Sequence, residues 1–230
     1  MARFILRIDD CGWTPEKKPD AGLDYFRAWR AACDWYGLPI HYGFIPSTLT
    51  LRELDWLRSN LTESESLALH GYTHERGEIV SAEMMIRGRR VLELARPTRA
   101  YIPPFNASTP STIAAWHHAA GGVSHFFGGF PGDEQSVQLG DRPLFDGVDA
   151  GTIGVWHWPA FRPLYAHVPE LLEAVPKHLY REEPTVVTMH CTWDINHFGK
   201  LATLREMLAP HLISLGEAVE WMCTKNSNSI

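Results

Sequence analysis

The sequence predicts an α/β barrel built as a single domain spanning residues 1–230. Three observations carry that expectation. Apolar runs of strand length alternate with helical patterns from end to end, roughly seven or eight times. Several of those runs end in ionisable side chains. No linker, internal repeat or shift in composition divides the 230 residues. So many βα units in a chain of this length fit a barrel better than an open sheet.

The elements follow in order. Phe4 to Ile8 reads as a buried strand ending in Asp9-Asp10. A loop with Pro15 and Pro19 leads to a helix capped by Asp20, whose core stripe is Phe26, Trp29, Cys33 and Tyr36; Gly37 and Pro39 stop it. Ile40 to Ile45 is the second strand, Leu51 to Leu57 a short helix, and Leu67 to Leu69 a third strand running into His70. Ser81 caps a helix with the stripe Met85, Gly88, Leu92 and Ala95. Ala100 to Ile102 is the fourth strand, stopped by Pro103-Pro104, and Ser111 to Ala119 is a weaker helix before the strand Val123 to Phe127. Gly128 to Gly147, rich in Gly, Asp and Pro, is the longest expected loop, with a hairpin as one form it could take. Thr152 to Trp158 is a strand, and Pro169 suits the first turn of a helix ending near Pro176. Val186 to Met189 is a strand running into His190; a helix around Leu201, Leu204 and Leu208 follows. Leu212 to Leu215 and a helix through Trp221 complete the series.

Composition narrows the function classes. Hydrophobic residues make up 45% and charged residues 21%, which excludes a disordered chain and leaves ample apolar surface for a core. With 27 acidic against 21 basic residues the net charge is −6, so no basic surplus recruits nucleic acid or anionic lipid. No run approaches the roughly 18 apolar residues of a membrane span. The apolar run after Met1 is too short and interrupted for a signal peptide. Cys11, Cys33, Cys191 and Cys223 lie far apart without a CxxC pair, as free thiols do in a reducing compartment; a cytoplasmic protein is expected. Twelve His beside only four Cys direct any metal site toward imidazole and carboxylate ligands.

Polar residues at strand ends locate a site, because in a βα barrel the loops after the strands share one face. His70-Gly-Tyr-Thr-His74 places two imidazoles at i and i+4, on one face if the segment turns helically. A carboxylate such as Asp10 would complete a metal set of two imidazoles and one carboxylate. Asp9 and Asp10 are adjacent and would point to opposite sides of a straight strand. Where the chain bends at the strand end, one can bind metal while its neighbour accepts a proton. Asn106, past the proline turn, fits either a substrate hydrogen bond or a turn. Trp156, Trp158 and Phe161 fit either a sugar-stacking platform or core packing. Cys11 beside two carboxylates reads as a structural thiol, since adjacent negative charge opposes thiolate formation.

Together these residues resemble the polysaccharide deacetylase superfamily (carbohydrate esterase family 4, NodB homology). Arg7-Ile8-Asp9-Asp10 is similar to its first motif and His70-Gly-Tyr-Thr-His74 to its second. Ile102-Pro103-Pro104-Phe105 is similar to the third, and Met189-His190 to the last, in family order from residue 7 to residue 190. The resemblance implies a distorted (β/α)7-type barrel and a divalent metal, zinc by preference, held by Asp10, His70 and His74. It makes Asp9 the general base and His190 the general acid, while Phe105, Asn106 and Trp158 are expected to bind substrate. The function implied is a metal-dependent deacetylase. Such an amidohydrolase removes an N-acyl group, acetyl first, from an amino sugar or a cytoplasmic glycan precursor. Two alternatives keep parts of that site: hydrolysis of a non-sugar C–N bond, and a catalytically impaired carbohydrate-binding relic. Three departures set this chain apart. Ile102 stands where the third motif starts with Arg, with Arg7 or Arg99 as possible substitutes. Cys11 replaces the Gly after Asp-Asp. No clear fourth-motif Asp is present; Trp156-His157-Trp158 occupies that region.

Overall fold

A computed structural model describes residues 2–12, 22–78, 81–107, 109–128, 155–158, 160–194 and 197–227. Among the described residues, eight parallel strands form one curled sheet: β1 (Phe4–Cys11), β2 (Ile40–Phe44), β3 (Ser66–Leu69), β4 (Ala100–Tyr101), β5 (Ser124–Phe127), β6 (Val155–Trp158), β7 (Ala160–Tyr165) and β8 (Thr185–His190). Their order is β6-β5-β4-β3-β2-β1-β8-β7, so β6 and β7 form the two ends of a distorted barrel. Among the described residues the helices are α1 (Gly22–Cys33), α2 (Leu51–Asn60), α3 (Ala82–Leu92), α4 (Pro110–Ala120), α5 (Val168–His178), α6 (Cys191–Asp194), α7 (Phe198–Leu208) and α8 (Leu215–Ser227). None is long and apolar enough to cross a membrane.

Strand alternation sorts the side chains into two cores. Phe4, Leu6 and Ile8 of β1 join Leu23, Phe26, Trp29 and Leu204 in the layer between sheet and helices. Ile5 faces the barrel interior with Ala68, Ala100, Ile102, Phe127, Trp156, Trp158 and Val186, joined by Leu215, Ala218 and Met222 of α8. Arg7 and Asp9 continue the Ile5 series at i+2 steps. Helix α3 approaches closely because Gly88 lacks a Cβ, which would lie 2.5 Å from Leu69 Cδ1.

The strands and most helices fall where sequence periodicity places them, with local differences. Helix α1 ends at Cys33, so Tyr36 lies beyond it, exposed, with the Arg30 guanidinium 4.1 Å from its ring centroid; Trp35 is buried instead. Asp20, the expected cap, and residues 129–154, most of the expected long loop and the start of the Thr152 strand, lie outside the described residues. Strand β7 was not expected. Pro163 sits inside it, and proline argues against a strand except at a sheet edge, where β7 lies.

Two interior imidazoles give the fold an acid-sensitive element. Burial and the neighbouring His125 pull His41 down to about 3; burial pulls His157 to about 4 although Nε2 contacts the Gly128 carbonyl. Unfolded, both would take protons near pH 6.5. Their contribution is therefore complete above that pH and is lost as pH falls toward the folded values. Acidification from pH 7 to 5 should remove about 2 kcal/mol per imidazole. Thermal melts at both pH values should show a smaller acid loss for His157→Asn than for the wild type; equal losses would exclude His157.

Candidate metal centre and its surroundings

The site forms where β1 ends. Asp9 is still in the parallel ladder, paired in register with His190 of β8. Against β2 the register shifts between Ile8 and Cys11, and Asp10 takes a φ of 57°. That left-handed backbone is unfavourable for a non-glycine residue and re-aims one side chain. Two consecutive carboxylates thereby reach one region. Asp10 Oδ1 lies 3.2 Å from His70 Nε2 and 3.6 Å from His74 Nε2, while Asp9 Oδ2 lies 4.0 Å from His190 Nε2.

Asp10, His70 and His74 each offer one ligand atom, all within 4.8 Å of one another. The donor set suits a divalent cation, and the tautomer of His70 agrees. Its Nδ1 lies 3.0 Å from the Ile102 carbonyl, which can only accept, so Nδ1 carries the hydrogen and Nε2 faces Asp10. Burial opposes the His70 imidazolium, but the Asp9 charge and the Asp10 hydrogen bond outweigh it and raise the His70 pKa. Burial and His70 push His74 the other way. The centre thus attracts positive charge, yet the two imidazoles resist being protonated together.

Asp9 is clamped from its own strand. Arg7 Nε donates to Asp9 Oδ1 at 2.8 Å and Nη2 to Oδ2 at 2.6 Å, with both residues buried. Burial would raise the Asp9 pKa; the guanidinium overrides that and lowers it to about 2. Of the two arginines expected as substitutes for one at 102, Arg7 is the one that pairs with Asp9, whereas Arg99 Nη1 donates elsewhere, to the Ala120 carbonyl. Arg7 Nη1 also donates to Asn106 Oδ1 at 3.1 Å. That bond fixes the Asn106 amide, since a guanidinium only donates. Among the described residues, Asn106 Nδ2 remains a buried donor without a hydrogen-bond partner. Phe105 and Asn106 have φ of 59° and 54°, and the half-exposed Phe105 ring lies 4.9 Å from that of His74.

On the opposite side, His190 is buried with Nε2 3.2 Å from the Tyr165 hydroxyl. Burial lowers its pKa despite Asp9. Asp194 stands one helical turn after His190 and holds backbone: its Oδ2 accepts from His190 N–H at 3.0 Å and its Oδ1 from Val168 N–H at 3.3 Å. Trp158 lies in the barrel interior at 2% exposure, its Nε1 donating to His125 Nδ1 at 3.1 Å. It packs with Ile102, Phe127 and Trp156, and the Phe161 side chain lies outside the described set. The Cys11 thiol is buried and donates to the Ile8 carbonyl at 3.4 Å, in keeping with a packing role.

Sequence reasoning missed Tyr165, Asp194 and Glu78, whose carboxylate braces the loop carrying His74. Tyr165 sits on the unexpected strand. Asp194 had one available signal, its position four residues after His190.

The fold is that of the carbohydrate esterase family 4 polysaccharide deacetylases, as the motifs led one to expect. No protein-family model matches the sequence, and no curated protein matches it. Among solved structures, one assigned as a polysaccharide deacetylase from Mycobacterium smegmatis superposes with a TM-score of 0.65 at 15% identity, covering 98% of this chain and 91% of that one. A family 4 carbohydrate esterase from Streptomyces lividans in complex with acetate gives 0.58 at 14% identity, with 93% and 91% covered. A carbohydrate esterase family 4 pseudoenzyme from Bacillus anthracis gives 0.56 at 14% identity, covering 94% of this chain and 64% of that one. One fold accommodates an esterase and a pseudoenzyme alike, so activity turns on side chains at the site.

Proposed function

We propose that this chain is a divergent member of the carbohydrate esterase family 4, a single catalytic domain acting as a metal-dependent amidohydrolase. It would remove an N-acyl group, acetyl first, from an amino sugar or glycan precursor. The observation that carries the reading is the convergence of three metal-type donors with a guanidinium-clamped carboxylate on one side and an imidazole on the other. Asp10, His70 and His74 would hold the cation, zinc by preference. When bound, such an ion lowers the pKa of water toward about 7 and polarises an amide carbonyl.

The chain's own residues do the rest. Asp9, kept ionised by Arg7, accepts a proton from the attacking water at Oδ2. His190 Nε2 donates a proton to the departing amine, which is a poor leaving group without one. Asn106 Nδ2 offers a donor to a substrate oxygen, and the exposed Phe105 ring offers a flat apolar surface to a sugar face. The reading assigns sugar contact to Phe105 before Trp158, which is buried. The buried thiols of Cys11 and Cys191 suit a reducing compartment and hence a cytoplasmic precursor as substrate.

Elemental analysis of the purified protein should find about one zinc-like ion per chain. His70→Ala and His74→Ala should each lose it, and unchanged content in both would overturn the centre. With metal loaded, acetate should be released from a panel of N-acetyl amino sugars. Release only from non-sugar amides would move the substrate class; glycan binding without release would favour an impaired relic, the reading that the pseudoenzyme neighbour keeps in view.

A further inference from the structure

The two imidazoles of the centre are held in different ways. His70 follows β3 directly, with its backbone N–H on the Phe44 carbonyl and its ring on that of Ile102. His74 lies four residues into the following loop, at a φ of 63°. That loop is wrapped around one carboxylate. Glu78 is 5% exposed, and its Oε2 accepts from the backbone N–H of Tyr72 and of Thr73, both at 2.9 Å. Its Oε1 accepts from Thr73 N–H at 3.2 Å and from Glu75 N–H at 3.0 Å, and the Thr73 hydroxyl donates to Oε2 at 3.3 Å. Backbone amides take up its charge, which also acts electrostatically on His74. Gly71 makes room, since a Cβ there would lie 2.3 Å from Glu78 Oε1. The amides on both sides of His74, those of Thr73 and Glu75, thus close on the same two oxygens.

We propose that Glu78 is the positioning residue of the metal centre: by gathering the amides around His74 it sets where that imidazole sits, and so sets the affinity for the cation. The inference rests on the metal reading above. Partners that orient a ligand are commonly worth 10- to 100-fold in metal affinity. An anionic acceptor is required here, because Glu78→Gln turns one of the two oxygens into a donor facing N–H groups.

The test is a zinc titration of metal-stripped protein against a chromophoric chelator, well below the melting temperature, with the melting temperature of the metal-free form measured in parallel. Glu78→Gln should bind zinc about 10- to 100-fold more weakly. Thr73→Val, which removes only the hydroxyl contact, should bind zinc about two- to tenfold more weakly. A merely structural Glu78 would lower the melting temperature and leave zinc affinity unchanged; folded Glu78→Gln within twofold of wild type overturns the proposal. Should that variant not fold, Thr73→Val decides: a measurable loss supports the clamp and an unchanged affinity overturns it. Wild-type protein that binds no zinc would instead sink the metal reading itself.

Discussion

Replacing Asp9 by Asn should lower amide hydrolysis by about 10²- to 10⁴-fold while the metal content stays at the wild-type level. The side chain keeps its shape but loses its charge and its ability to take a proton, and one of its oxygens becomes a donor. Its oxygens are not among the ligand atoms of Asp10, His70 and His74, so cation binding should survive. The change also leaves the buried Arg7 facing one oxygen where it had two, so turnover must be compared per folded molecule. Turnover equal to wild type in metal-loaded Asp9→Asn would remove Asp9 from the mechanism; joint loss of metal and activity would make it a ligand.

Arg7→Met should be the most destabilising single change at the site. It leaves the Asp9 carboxylate buried without its bidentate partner, and breaking a buried pair from one side typically costs about 3–5 kcal/mol. For a chain of this size each kcal/mol lowers Tm by about 2–4 °C, so a fall of roughly 6–20 °C is expected. Adding Asp9→Asn to Arg7→Met should recover part of it, because a neutral amide tolerates burial better than an unpaired carboxylate. Denaturant unfolding of the two single variants and the double would measure the coupling. Additive losses would mean the two side chains are independent and would contradict the clamp.

How much of this was legible beforehand depends on which physical rule governed each residue. The buried strands announced themselves because parallel strands are apolar on both faces, and the ionisable groups at their ends stood out against that background. His70 and His74 were legible from their i, i+4 spacing, and the family resemblance chose Asp10 over Asp9 as the third ligand. Arg7 was readable in part: residues at i and i+2 share a strand face, which puts it beside Asp9, although periodicity alone could not choose it over Arg99. The left-handed φ of Asp10, His74, Phe105 and Asn106 had no such signature, because none is glycine and each is imposed by tertiary contacts. Tyr165 was hidden with its strand by Pro163. Glu78 was hidden because its partners are backbone amides, which carry no residue identity.

The position of Arg7 has a consequence for how the site tolerates change. A partner for Asp9 delivered from another strand would drift whenever the loops or the sheet shifted. Here the two are neighbours on one extended segment, and strand geometry alone keeps them together. Residue 102 is thereby freed from carrying a charge. Its side chain is an isoleucine whose Cδ1 would come within 2.9 Å of any Cβ at Gly43, while its main-chain oxygen steadies His70. Substitutions at 102 should therefore be felt as packing against β2, with the ionisation of Asp9 left as it was.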